Sequence, residues 1–299
     1  MDQAEQLRNI IKAKNQLSRK PAARVITVTS GKGGVGKSNT AINLAVQLKK
    51  EGERVIILDA DFGLANIEIM FGAVPKYNLG DLISQGKTIR EVITKGPNDI
   101  GFISGGSGIS GLANMDKDKL SYIIRNLAEL DMIADVIIID TGAGISDMVM
   151  EFLVASGEIL LVTTPEPTSI TDSYSLVKAL YTHPDFSAGE TKVKVIANRV
   201  AKEEEGEVLY GKLNSVVTKY LNAPLTYLGA VPQDAQLSEA VMQQMPVSIR
   251  NPKARSAVAY ERIAKRLMEK EEQKYIVKRG ITAFFSHIVS GKKDRVEVK

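Results

Sequence analysis

The stretch Gly31-Lys-Gly-Gly-Val-Gly-Lys37-Ser38 fits the spacing G-x-x-x-x-G-K-[ST] and follows directly on an apolar run. Glycine tolerates the tight turns that let successive amides point inward, so Gly33, Gly34, Val35 and Gly36 can wrap a phosphate chain. Lys37 is placed to reach the β- and γ-phosphates and Ser38 to hold Mg²⁺, while Asn39 lies in a helix whose positive end faces the anion. Together they predict a nucleoside triphosphate as ligand. A second stretch, "LDADFG", carries Asp59 and Asp61, expected to face opposite sides of a strand end and to do different jobs. The run "DVIIID" ends at Asp140, a strand-end carboxylate expected to hold Mg²⁺ through its water shell. It continues into Thr141, Gly142, Ala143 and Gly144, where the glycines let the backbone approach a γ-phosphate and move once it is cleaved. Asn198-Arg199 and Pro232-Gln233-Asp234 also close apolar runs and are candidate contacts to the base. Glu166 and Asp172 lie in "TTPEPTSITDS", where a helix start explains them nearly as well.

What must position these residues is legible in the alternation around them. Seven apolar runs, at 24–30, 54–60, 100–104, 135–140, 158–164, 192–198 and 226–232, are mostly rich in Val and Ile and apolar on both faces. That is the pattern of strands in a sheet covered on both sides. Helical periodicity fills 38–50, 116–130, 168–182, 205–221 and 252–270. The alternation predicts an α/β fold, a doubly wound and mostly parallel sheet of about seven strands, in one domain over 24–270. Every candidate residue then falls at the carboxyl edge of that sheet.

Lys32, early in the loop, narrows the class. K-G-G-x-G-K-[ST] resembles the deviant Walker A ATPases of the MinD/ParA group. The resemblance implies ATP with Mg²⁺ and a homodimer formed in the ATP-bound state. In it Lys32 reaches the partner's phosphates as a trans-acting cation and acts in catalysis with Lys37. It also implies that Asp61 orients the attacking water, that Asp59 lies near the magnesium, and that Asn198 hydrogen-bonds the adenine. The guanine motif N-K-x-D is missing, which favours ATP over GTP.

Both ends of the chain carry amphipathic patterns outside this domain. At 274–292, Ile276, Val277, Ile281, Phe284, Phe285, Ile288 and Val289 share an apolar side, with lysines and arginine flanking it. This is the pattern of a helix lying in a membrane interface, with docking on the domain's own core as the competing explanation. Gly280 weakens the helix in isolation. At 1–20, Asp2 can cap a helix with Glu5 at the reciprocal position, leaving Leu7 on an apolar face. "DQAEQLR" before a MinD-like domain resembles the FlhG (YlxH/FleN) family of flagellar-number regulators, which shares the D-T-G-A-G switch found here at 140–144. The resemblance implies stimulation of an FlhF-type GTPase through Asp2, Gln3, Leu7 and Arg8, with Gln3 entering the partner's site. It further implies contacts with flagellar switch-complex proteins and reversible attachment to cytoplasmic membrane lipids.

Composition bounds the alternatives. The 299 residues contain no cysteine, which removes thiol nucleophiles, iron–sulfur clusters and Cys-ligated zinc, and fits a cytoplasmic location. No run of 18 apolar residues suggests a spanning helix. The net charge of +4 permits an acidic partner without requiring one. A ParA-type ATPase using DNA as its matrix is the main alternative, but the basic residues gather at the chain ends, so nucleic acid is not the expected partner. A MinD-like division-site ATPase is another. No acceptor site for a metabolic kinase is legible.

Overall fold

The computed structural model describes residues 22–61, 66–106, 122–123, 125–269 and 280–290. The candidates Asp2, Gln3, Leu7, Arg8, Ile276 and Val277, and the side chain of Val289, lie outside the described residues. The central sheet has eight strands in the order β3-β4-β2-β5-β1-β6-β7-β8. They are β1 (Arg24–Thr29), β2 (Val55–Ala60), β3 (Thr94–Lys95), β4 (Gly101–Ser104), β5 (Val136–Thr141), β6 (Glu158–Thr163), β7 (Lys192–Val200) and β8 (Thr226–Pro232). Seven match the apolar runs and pair in parallel. The eighth, β3, is a two-residue strand antiparallel to β4 at one edge, too short to leave a pattern in the sequence.

The strands form because both faces of each are apolar. In β5, Val136 and Ile138 pack into one layer, and Ile137 and Ile139 into the other. In β2, Val55 and Ile57 face the first layer, and Ile56 and Leu58 the second. The first layer is closed by α1 (Lys37–Lys50), α2 (Asn66–Phe71), α9 (Ala235–Met242), α10 (Val247–Arg250) and α11 (Arg255–Met268). The opposite layer holds α3 (Asp81–Ser84), α4 (Ile89–Val92), α5 (Leu130–Ile133), α6 (Asp147–Ala155), α7 (Pro167–Tyr181) and α8 (Glu203–Leu221). It also holds α12 (Ile281–Ser290), which falls inside the predicted tail stretch 274–292.

The position of α12 qualifies the membrane expectation. Ile281, Phe284, Phe285 and Ile288 are at most 4% exposed, so the apolar face is turned into the protein. Phe284 stacks on Phe152 of α6 with ring centroids 5.7 Å apart, and Phe285 meets the same ring edge-on at 6.4 Å. No helix among the described residues is long and apolar enough to cross a membrane.

Candidate active site

Beta-strand β1 lies between β5 and β6 at the centre of the sheet, so the loop leaving it faces the crevice where open α/β sheets bind ligands. The loop's shape depends on two left-handed glycines, Gly34 at φ 77° and Gly36 at φ 99°. Gly36 has a second constraint, since a Cβ there would lie 2.4 Å from Asn198 Nδ2. At the loop's start, a Cβ on Gly31 would lie 2.2 Å from the backbone of Asp172, so the loop rests directly on α7. Lys37 opens α1 and is only 7% exposed. Burial lowers its pKa, while the carboxylates of Asp140 and Asp61 favour its charged form.

The parallel register sets Asp59 beside Asp140 on neighbouring strands. Asp140 is fully buried, and neither of its oxygens has a partner at hydrogen-bonding geometry. Burial pushes its pKa up to about 7; the nearby Ser38 hydroxyl and Lys37 oppose the shift, and Asp59 and Asp61 add to it. An orphaned buried carboxylate is costly unless something completes it. With the Ser38 hydroxyl close by, the donors present suit a hard, oxygen-seeking cation such as Mg²⁺.

Asp59 and Asp61 do not face opposite sides. Residues two apart on a strand share a face, and both acids lie close enough to Asp140 to raise its pKa. Asp59 accepts the Asp61 amide at 3.1 Å and the Ile67 amide at 3.2 Å, so it shapes the turn that presents Asp61 and starts α2. Its pKa rises to about 6, chiefly from burial. Asp61 accepts from Asn66 Nδ2 at 3.3 Å and lies against Gly142 of the switch loop. That loop is tied down at both ends. Thr141 Oγ1 donates to the Val28 carbonyl at 3.1 Å, and the Gly144 amide donates to the Ser30 carbonyl at 2.9 Å. The loop feeds α6, which is capped by Ser146.

Lys32 points away from this carboxylate cluster. Its Nζ donates to Glu166 Oε2 at 2.8 Å and to Thr168 Oγ1 at 2.9 Å. The Glu166 side chain does not cap α7, so the helix-start explanation fails for it; it holds Lys32, which keeps its carboxyl below the usual range. Sequence reasoning noted Glu166 but missed this pairing, for which a separation of 134 residues leaves no local signal.

The base candidates come together around a cleft of about 320 Å³. Gly36, Asn39, Asn198, Arg199, Gln233 and Asp234 line it, with Pro232 at its side. Asn198 Nδ2 donates to the Val35 carbonyl at 2.7 Å, which fixes the amide's orientation and leaves Oδ1 without a protein partner. Arg199 is left-handed at φ 58° and sits at a bulge that takes it out of the ladder. Asp234 has a different duty from the one expected. Its Oδ1 caps α9 through Gln236 N, and its Oδ2 accepts from Ser256 N and Oγ, so both oxygens serve the fold. The wall opposite, formed by Leu237, Val241 and Met242 of α9, was missed, because apolar residues at helical spacing look like ordinary core in a sequence.

Comparison with known proteins gives consistent results. The family profile described as "CobQ/CobB/MinD/ParA nucleotide binding domain" matches residues 26–247. The antiactivator FleN of Pseudomonas aeruginosa is 37% identical over 244 residues, covering 82% of this chain and 86% of that protein. The flagellum site-determining protein YlxH of Helicobacter pylori is 33% identical over 295 residues, covering 96% and 98%. The septum site-determining protein MinD from Pyrococcus horikoshii, solved with Mg-ADP, superposes with a TM-score of 0.65 at 24% identity, covering 84% of this chain and 98% of that one. At that identity the superposition speaks for the fold alone.

Proposed function

The chain belongs to the CobQ/CobB/MinD/ParA nucleotide-binding family, and we propose that it is an ATP-driven switch controlling flagellar number and placement from the inner face of the cell membrane. It is a P-loop ATPase of the MinD/ParA kind. The observation that carries the reading is the orphaned Asp140 carboxylate, with the buried Lys37 near enough to feel its charge and Lys32 held elsewhere on Glu166. One lysine serves the chain's own nucleotide. The other, paired with Glu166 at an exposed edge, can leave that pair to serve a second copy.

In this reading Lys37 and the loop amides bind the phosphates, and Ser38 and Asp140 hold Mg²⁺, which supplies charge neutralisation when bound. Asn198 Oδ1, buried and unpartnered in this arrangement, accepts from the exocyclic amine of adenine once the side chain turns into the cleft; the O6 of guanine would set one acceptor against another. Asp61, beside Gly142, orients the water. Lys32 leaves Glu166 to cross a homodimer interface, a modest exchange because exposed pairs contribute only about 0–1 kcal/mol.

The tail supplies the membrane step. Its four buried side chains gain about 1.5–3 kcal/mol each from burial, whether in the protein or in lipid, so docked and inserted states are close in energy. A dimer presents two tails and gains avidity, which ties lipid binding to the ATP state. The similarity to FleN and YlxH, together with "DQAEQLR", supports flagellar regulation and an FlhF-type GTPase as the partner of the amino-terminal segment. Turnover of that GTPase with a peptide spanning residues 1–20 tests the output directly. Acceleration that depends on Gln3 is expected, and none, or none lost on Gln3→Ala, would remove the activator role.

A further inference from the structure

The two oxygens of Asp61 face different groups. Oδ2 accepts from Asn66 Nδ2 at 3.3 Å, while Oδ1 lies toward the switch loop, 3.7 Å from where a Cβ on Gly142 would sit. The Asn66 amide has its nitrogen toward Asp61, because its oxygen there would set one acceptor against another. One carboxylate oxygen is thus held by the protein. The other, on the Gly142 side, keeps its lone pairs for a further donor.

The acid that fixes Asp61 also fixes the segment carrying Asn66. Asp59 accepts the Asp61 amide through Oδ1 at 3.1 Å and the Ile67 amide through Oδ2 at 3.2 Å, so one buried carboxylate spans the turn. Ile67, the neighbour of Asn66, is completely buried in the layer that holds Phe71 and Phe102. Asn66 therefore stands on a firmly anchored first turn of α2. The backbone of Asp61 does not by itself settle where its carboxylate points, since rotation about the last side-chain bond of an aspartate is broad. A hydrogen bond to one of its oxygens narrows that rotation.

We propose that Asn66 is a positioning residue for ATP hydrolysis, holding Oδ2 of Asp61 so that Oδ1 is presented to the attacking water. This rests on the reading that Asp61 orients that water. In the step served, the water oxygen bonds to the γ-phosphorus as the bond from that phosphorus to the β–γ bridging oxygen breaks. ADP departs with the bridging oxygen and its electron pair, and the water's protons go to the phosphate formed and to solvent. Asn66 neither gains nor loses a proton; it acts only through Asp61. Aspartate at this position separates positioning from a merely structural role. It matches asparagine in size and suits the first turn of a helix, yet it sets a second carboxylate against Asp61.

Phosphate release from Mg-ATP is measured with the full chain, at a protein concentration that saturates the parent's rate. The proteins compared are the parent, Asp61→Ala, Asn66→Ala, Asn66→Asp and the double variant Asp61→Ala/Asn66→Ala, and retained ADP affinity checks the fold of each. Both Asn66 variants should lose roughly 10- to 100-fold in kcat with KM for ATP within about twofold. The double variant should be no slower than Asp61→Ala alone, because Asn66 has nothing left to position. Parental kcat in Asn66→Asp, a loss carried in KM, or a double variant slower than Asp61→Ala would overturn the proposal. Parental turnover in both Asn66 variants beside a slow Asp61→Ala would overturn it while leaving the role of Asp61 intact. Parental turnover in Asp61→Ala itself would remove both.

Discussion

Replacing Asp140 by asparagine should stabilise the nucleotide-free protein at alkaline pH while destroying its magnesium-dependent function. The carboxyl is fully buried and its pKa is raised from 3.8 to about 7. The folded state therefore holds a proton that the unfolded state gives up between about pH 4 and pH 7. Stability from this group is complete below the unfolded value, falls as pH rises through the folded value, and is flat above pH 8. At about 1.4 kcal/mol per unit, the ionised carboxylate costs on the order of 4 kcal/mol at pH 8. Asparagine keeps the shape without ionising, but its buried amide lacks partners, at about 1–3 kcal/mol. The expected balance is a gain of about 2 kcal/mol at pH 8 and none, or a small loss, at pH 5. Urea unfolding of both proteins at the two pH values measures it, with and without Mg-ATP. The parent should recover stability with Mg-ATP and the variant should not. An Asp140→Asn protein that is less stable than the parent at pH 8, or a difference independent of pH, would refute the argument that this carboxylate is held uncompensated for a cation.

Asp61→Ala should retain ATP binding and lose hydrolysis by about 10²-fold or more, read as phosphate release; normal turnover would mean that Asp61 does not position the water. Lys32→Ala should leave ADP affinity unchanged and reduce hydrolysis by at least about 10²-fold, as expected for a cation delivered in trans. Asn198→Ala should lower the preference for ATP over GTP by about tenfold, measured by competition, because the acceptor for the adenine amine is gone. Phe284→Ala should cost about 3–5 kcal/mol in urea unfolding by emptying the space against Phe152. An unchanged midpoint would mean that the docked tail does not contribute to the core.

Much of this was legible in the sequence, because the strands and the phosphate loop are written locally. Val and Ile runs apolar on both faces mark seven strands, and an eight-residue motif marks the loop. What escaped was written across distance. The Lys32–Glu166 pair, the Asp131 cap on α12 and the contact of Gly280 with Ala22–Ala23 each join residues more than a hundred positions apart. Gly280, read locally as a weakness in a helix, is the residue that the docked start of α12 requires. The apolar face at 281–288 was correctly seen as needing a partner, but periodicity cannot distinguish lipid from a groove beside Phe152. Asp59 and Asp61 illustrate a different error. Their spacing placed them on one side from the start, and Asp59 uses its oxygens to hold the turn on which Asp61 sits.

The central claim, that ATP assembles two copies around Lys32 and ADP does not, is tested most directly by the mass of the Asp61→Ala protein in solution with each nucleotide. With ADP the mass should be that of one 32.5 kDa chain, and with ATP twice that value. Adding Lys32→Ala should return the ATP form to a single chain. One mass with both nucleotides, or an ATP dimer indifferent to Lys32, would contradict the account.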